Sequence, residues 1–347
     1  MNYRDLDKEK IYIFKNNNIQ EKILTFYFKC FENSKKIIIT ILAVIIIIFF
    51  FYYIFRKQQF DIKLASAEKI KIIKTTTILS PTLENPLNLF PHWLPSGDQI
   101  VFITSSQNEY SINLANSDSG GKIKKILRSQ KPINWLTKHS IFEINKEPVC
   151  SPDGKYIAYI SNKTGINEIW LTDLTGKFQR QITNSPVNKS APNWSPDGKY
   201  LVYQIFENNT SKIQIVGLDG EIKDLILRYR FDINEAAPSW SPDGRYIVYT
   251  SNASGKYEIW LYDIANRVHK QLTNTIGNSG APAFSPDSQK IIFLSEIDNN
   301  IELFIINING GGMTRLTQTL NINELTCSFS PDGNKILVSC APLKNEA

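Results

Sequence analysis

Histidine, methionine and cysteine are scarce: the 347-residue chain holds three, two and four of them. His92, His139 and His269 stand at unrelated points of the chain, so a multi-histidine metal centre is not expected. Four cysteines build no disulfide framework in a chain of this length. Also missing are a Gly-x-Ser-x-Gly elbow, a Walker loop, a Gly-x-Gly-x-x-Gly turn and the ligand series of a calcium-binding loop. No enzymatic activity, metal or cofactor is therefore expected. The net charge is +6, but the excess lies in residues 1–79, with 14 basic and 7 acidic side chains. Residues 80–347 carry 25 and 26 and lack the clustered basic face of a nucleic-acid binder. At 42% hydrophobic residues the chain is not disordered in bulk.

What is present begins with an apolar run, IIITILAVIIIIFFFYYIF, from Ile37 to Phe55 between Lys36 and Arg56. Nineteen uncharged residues at 1.5 Å rise reach about 28 Å, close to the ~30 Å of a hydrocarbon core. Tyr52 and Tyr53 close it, where amphipathic rings favour the headgroup level. Ala65-Ser66-Ala67 resembles a leader cleavage site, but the run is too long and too far from both the N-terminus and that triplet. The expectation is an uncleaved single-pass transmembrane helix over 37–55. Residues 1–36 carry 8 basic side chains and residues 56–79 carry 6, which predicts a cytoplasmic N-terminal segment and a body on the periplasmic, extracytoplasmic side.

Beyond this run the chain repeats. Ser-Pro-Asp begins at Ser151, Ser195, Ser241, Ser285 and Ser330, spaced 44, 46, 44 and 45 residues apart, with a degenerate copy at Leu94-Pro95-Ser96-Gly97. An aromatic residue precedes most of these turns: Trp93, Trp194, Trp240, Phe284 and Phe329, with Cys150 at the same position. Each copy reads as four short strands, a to d. Strand a ends at the aromatic, Ser-Pro-Asp-Gly forms a tight turn, and strand b follows with alternation, as in Tyr246-Ile247-Val248-Tyr249-Thr250. Strand c is Tyr257 to Asp263 and strand d is Val268 to Thr273. Four strands per ~45 residues, repeated, predict the blades of a β-propeller.

The Pro-x-Trp-Ser-Pro-Asp-Gly-Lys turn, the Glu-Ile-Trp strand and the closing Gln-Leu-Thr resemble the TolB-type, WD40-like propeller repeat over residues 91–340. The resemblance implies an all-β, six-bladed β-propeller, here preceded by a single transmembrane helix in place of the N-terminal domain of TolB-type proteins. The sixth copy ends after strand b, so residues 60–77, beyond a linker at 56–59, are expected to complete it. Phe60 to Ala65 would be strand c and Lys69 to Thr77 strand d.

The recurrent aromatics fit packing between blades or stacking on a ligand. The turn carboxylates Asp153, Asp197, Asp243, Asp287 and Asp332 fit local backbone bonding. Asn188, Asn234, Asn278 and Asn323 recur in the d-to-a connections, which gather on one face of a propeller. They suit either a turn that uses asparagine's backbone bonding or an amide-lined mouth for a peptide or small polar ligand. Lys189, Glu235 and Glu324 are adjacent and would give that mouth mixed charge. The connection from Gln130 to Glu147, with Trp135 and His139, is about ten residues longer than its counterparts and is a recognition loop or neutral padding. The reading is a membrane-anchored propeller that binds a protein or peptide partner. The alternative is an accessory or gating propeller that serves a separate hydrolase or lyase.

Overall fold

The computed structural model describes residues 71–74, 87–105, 110–117, 123–129, 148–207, 209–226, 232–319 and 322–342. The apolar run at 37–55, the expected strand at 60–65, and Trp135 and His139 lie outside them. All regular structure among the described residues is β, in six sheets. No helix among them is long and apolar enough to cross a membrane.

Five sheets are four-stranded, antiparallel and in sequence order, one per repeat. Blade 3 illustrates the plan: strand a is Asn188–Trp194, b is Tyr200–Glu207, c is Thr210–Gly217 and d is Ile222–Ile226. The sixth sheet holds Ile322–Phe329, Lys335–Pro342 and Lys71–Lys74. Here the order differs from the expectation. Lys71–Lys74, expected as an outermost antiparallel strand d, lies directly beside strand b and runs parallel to it, Lys71 opposite Lys335. Ile72 packs against Ile336 and Val338, so the apolar face of the segment decides its place.

Strand b also departs from the alternation expected of it. In blade 4, Ile247, Val248, Tyr249 and Thr250 are all inaccessible to solvent. A strand with sheets stacked on both faces is buried on both, and reads as a continuous apolar run. Successive blades share these cores: Leu201 and Tyr203 of blade 3 pack with Ala158, Ile169 and Leu171 of blade 2. Blade 1 meets blade 6 in the same way, through Trp93, Ile100, Phe102 and Leu337.

Candidate functional site

Strand a is the innermost strand, and its two ends differ. Near its middle sits a β-bulge in blades 1, 3, 4 and 5, where the register shifts before the aromatic. At each bulge a non-glycine residue takes the left-handed conformation: Phe90, Ala191, Ala237 and Ala281, with φ of 47–54°. A proline follows each of them, tolerated because strand a is an edge strand and the bulge needs no N–H there. The bulge re-aims the residues after it. As a result the turn ends of all six strands converge on one axial cavity of about 350 Å³.

Trp93, Cys150, Trp194, Trp240, Phe284 and Phe329 line that cavity, one from each blade, backed by the prolines of the following turns. Trp93, Trp194 and Phe284 are buried, whereas Trp240 and Phe329 are half-buried. The indole N–H of Trp194 donates to Val149 O at 3.2 Å and that of Trp93 to Ser328 O at 3.4 Å, tying each ring to the preceding blade. The aromatics therefore pack between blades, as one of the two expectations had it, and they also wall a cavity. Among the described residues that line it none is Asp, Glu, Lys or Arg. Burial, aided by the Asp153 carboxylate, pushes the Cys150 thiol up to about 12, so it is protonated at neutral pH and no nucleophile.

The rim of the cavity is made by the Ser-Pro-Asp turns, which are built alike. Ser151 donates its hydroxyl to Asp153 Oδ1 at 2.7 Å, and Asp153 accepts the Lys155 N–H at 3.1 Å. The pairs Ser195–Asp197, Ser241–Asp243, Ser285–Asp287 and Ser330–Asp332 repeat the bond at 2.5–2.6 Å. The serine hydroxyl chiefly holds the carboxyls of Asp153, Asp197, Asp287 and Asp332 below the usual range. Gly154 and Gly333 adopt φ of 73°, and a Cβ at either would touch the turn proline of the preceding blade, Pro95 or Pro286. The turns thus interlock around the mouth.

At the opposite end of strand a stand the four asparagines, and each spans two blades. Asn188 Oδ1 accepts the N–H of Asn167 at 3.0 Å and Asn234 Oδ1 that of Ser211 at 2.9 Å. Asn278 and Asn323 do the same with Tyr257 and Ile301, at 3.1 and 3.2 Å. In every pair the acceptor belongs to one blade and the donor opens strand c of the blade before. Lys189, Glu235 and Glu324, expected as mixed charge at a mouth, are buried. Lys189 crosses to Glu168 at 2.8 Å and donates to Ser185 O at 2.7 Å, and its burial lowers the ammonium's pKa.

Sequence reasoning did not single out Glu168, Glu258 and Glu302, buried at the start of strand c. Thr183 and Thr273 donate their hydroxyls to the first two, and the Ser185 and Thr275 amides complete each set at 2.9 Å. Glu302 instead holds the Thr319 N–H at 2.7 Å and Arg315 at 3.2 Å. A constant Glu-to-Thr separation of 15 residues was the available signal.

Residues 206–341 match the family described as PD40, TolB beta propeller domain. A TolB homolog of Protochlamydia amoebophila is 48% identical over 42 residues, which are 12% of this chain and 9% of that protein. The crystal structure of TolB from Acinetobacter baumannii superposes with a TM-score of 0.56 at 28% identity, over 68% of this chain and 56% of that one. A TolB structure from Agrobacterium tumefaciens superposes at 0.59 with 22% identity, over 74% and 91%. This chain thus spans about half the length of the A. baumannii protein and a small part of the P. amoebophila one. Repeats of the TolB-like PD40 type are matched over residues 206–341, and the fold of the described residues is a six-bladed β-propeller.

Proposed function

We propose that this protein is a membrane-anchored, non-catalytic propeller that binds a protein or peptide partner at the cell envelope, with the axial cavity as the receptor. The anchor is the run 37–55, with the N-terminus cytoplasmic and the propeller on the periplasmic, extracytoplasmic side. One observation carries the binding reading: six blades deliver aromatic, thiol and proline side chains, with His92 and Asn193 among them, to one cavity lined by no Asp, Glu, Lys or Arg. Such a wall suits an apolar or aromatic side chain presented on an extended segment. Two of its rings, Trp240 and Phe329, are half-buried and so stay available for contact. The lining offers no carboxylate, and its Cys150 thiol stays protonated, which fits binding better than bond-breaking. The TolB likeness supports the same class of function.

The test is crosslinking in native membranes followed by pull-down, comparing wild type with Trp240→Ala/Phe329→Ala. The double variant is expected to keep its fold and lose its partner. Retention of the partner by that variant, with loss on mutating Asn188, Asn234, Asn278 and Asn323 together, would overturn the assignment to the cavity. Capture of a hydrolase or lyase would make the protein an accessory propeller instead. Protease accessibility in the same membranes reports the side.

A further inference from the structure

Five large hydrophobic side chains are exposed among the described residues, and four of them lie beside c-to-d turns. Ile123, Phe178, Ile222 and Val268, exposed by 48, 40, 55 and 56%, each follow the c-to-d turn of blades 1 to 4. Strand c runs in the direction of strand a, so the c-to-d turns share a face with the Ser-Pro-Asp turns. The four side chains form an arc on the rim of that face, outside the axial mouth. Exposed singly, each would need no explanation; recurring beside the c-to-d turns of four successive blades, they mark one rim of the molecule.

On blades 1, 2 and 4 their neighbours are basic. Lys124 and Lys125 flank Ile123, Lys177 and Arg180 flank Phe178, and Arg267 and Lys270 flank Val268, all exposed. The acidic residues of two of these turns are held against the backbone: Asp173 accepts the N–H of Thr175 and of Lys177, and Asp263 that of Asn266. Blade 3 differs: Ile222 stands between Glu221 and Lys223, and Lys223 pairs with both Glu221 and Asp219, so that turn carries no excess of cations. Apolar tips interleaved with long cations are the composition of a surface that meets anionic headgroups.

The chain itself enters on this face. Lys71 donates its N–H to Asn334 O at 3.0 Å, beside the Ser-Pro-Asp turn of blade 6, and the parallel register sets Lys71 at the turn end. Fifteen residues separate Phe55 from Lys71, a reach of at most about 50 Å.

We infer that the rim formed by Ile123, Phe178, Ile222 and Val268, with the cations of blades 1, 2 and 4, rests on an anionic lipid bilayer. The inference builds on the anchor reading above and adds an orientation to it. Because the axial mouth opens on the same face, lipid contact and partner capture exclude one another, and the partner lifts the propeller from the membrane.

The test uses the full chain with Cys30→Ser, carrying a fluorophore at Phe178→Cys or, on the opposite face, at Ile276→Cys. It is reconstituted in phosphatidylcholine vesicles with or without phosphatidylglycerol, each doped with a headgroup nitroxide quencher. The label at 178 is expected to be quenched about two-fold more than that at 276 in anionic vesicles only, and Val268→Cys should match 178. Lys177→Glu/Arg180→Glu/Arg267→Glu/Lys270→Glu should abolish the difference. Equal quenching at 178 and 276, or shielding of 178 by added partner alone, overturns the inference. Alkaline carbonate extraction reads the anchor separately. If the protein is released, the anchor reading falls, and salt-sensitive co-sedimentation of the released chain with anionic vesicles then decides the rim on its own.

Discussion

The two ends of strand a carry the same repeat and opposite chemistry. At the asparagine end the four recurrent amide oxygens are consumed, each capping the strand c of the preceding blade, and Lys189 neutralises a buried Glu168. At the aromatic end the recurrent rings are only partly consumed, and they leave a cavity lined by no Asp, Glu, Lys or Arg where six blades meet. Recurrence by itself therefore does not separate function from structure; what separates them is whether the neighbouring blade satisfies the group. Charged residues at one repeat position add to this. Asn188 is followed by Lys189, which crosses to Glu168, whereas Asn323 is followed by Glu324, which accepts the Thr317 hydroxyl at 2.9 Å.

The largest break in the comparison comes from the asparagine end. Lys189→Met leaves the Glu168 carboxylate buried without its cation, and should lower unfolding free energy by about 3–5 kcal/mol in denaturant titration. Adding Glu168→Gln should recover part of that loss. Next, within the aromatic end, Trp194→Ala removes a buried ring that bonds Val149 O and should cost about 3 kcal/mol. Trp240→Ala, half-buried, should cost clearly less while still weakening partner capture. A single staple is smaller: Asn234→Ala should destabilise by about 1 kcal/mol, because the Ser211 N–H loses its acceptor.

The six blades were legible because turn chemistry and period-two runs recur at a fixed interval, and the four strands of blade 4 lie where the sequence puts them. Burial of strand b on both faces was not, since Ile247-Val248-Tyr249 fits either a one-faced or a sandwiched strand until the neighbouring blades are placed. The parallel pairing of Lys71–Lys74 was hidden for a related reason: a β-branched run specifies an apolar face but not a direction. The site was half legible. The aromatics were found as a series, but only the bulge after Ala191, Ala237 and Ala281 aims their ends at the axis, and no residue type announces a bulge. The asparagines drew notice as polar groups in loops, and their consumption by backbone amides of another blade is a tertiary fact.

The smallest effect is one of pH. Serine hydroxyls favour the ionised turn aspartates, so the unfolded chain binds protons more readily than the folded one around the ordinary value of 3.8. Stability from these turns is present above about pH 4 and is lost as the pH falls through the lower folded values. The carboxyls are largely solvated, so the slope should be shallow. A urea midpoint that is flat from neutrality to about pH 5 and falls below about 4 fits this, and Ser151→Ala should flatten the fall.

The most direct test of the account places a photocrosslinking phenylalanine analogue at one end or the other and irradiates native cells. Phe329 in the axial wall is half-buried, and Ile276, in a d-to-a connection, is 73% exposed. Adducts to one partner protein from position 329 and none from 276 are predicted. Adducts from 276 alone would contradict the account and return the binding role to the asparagine end.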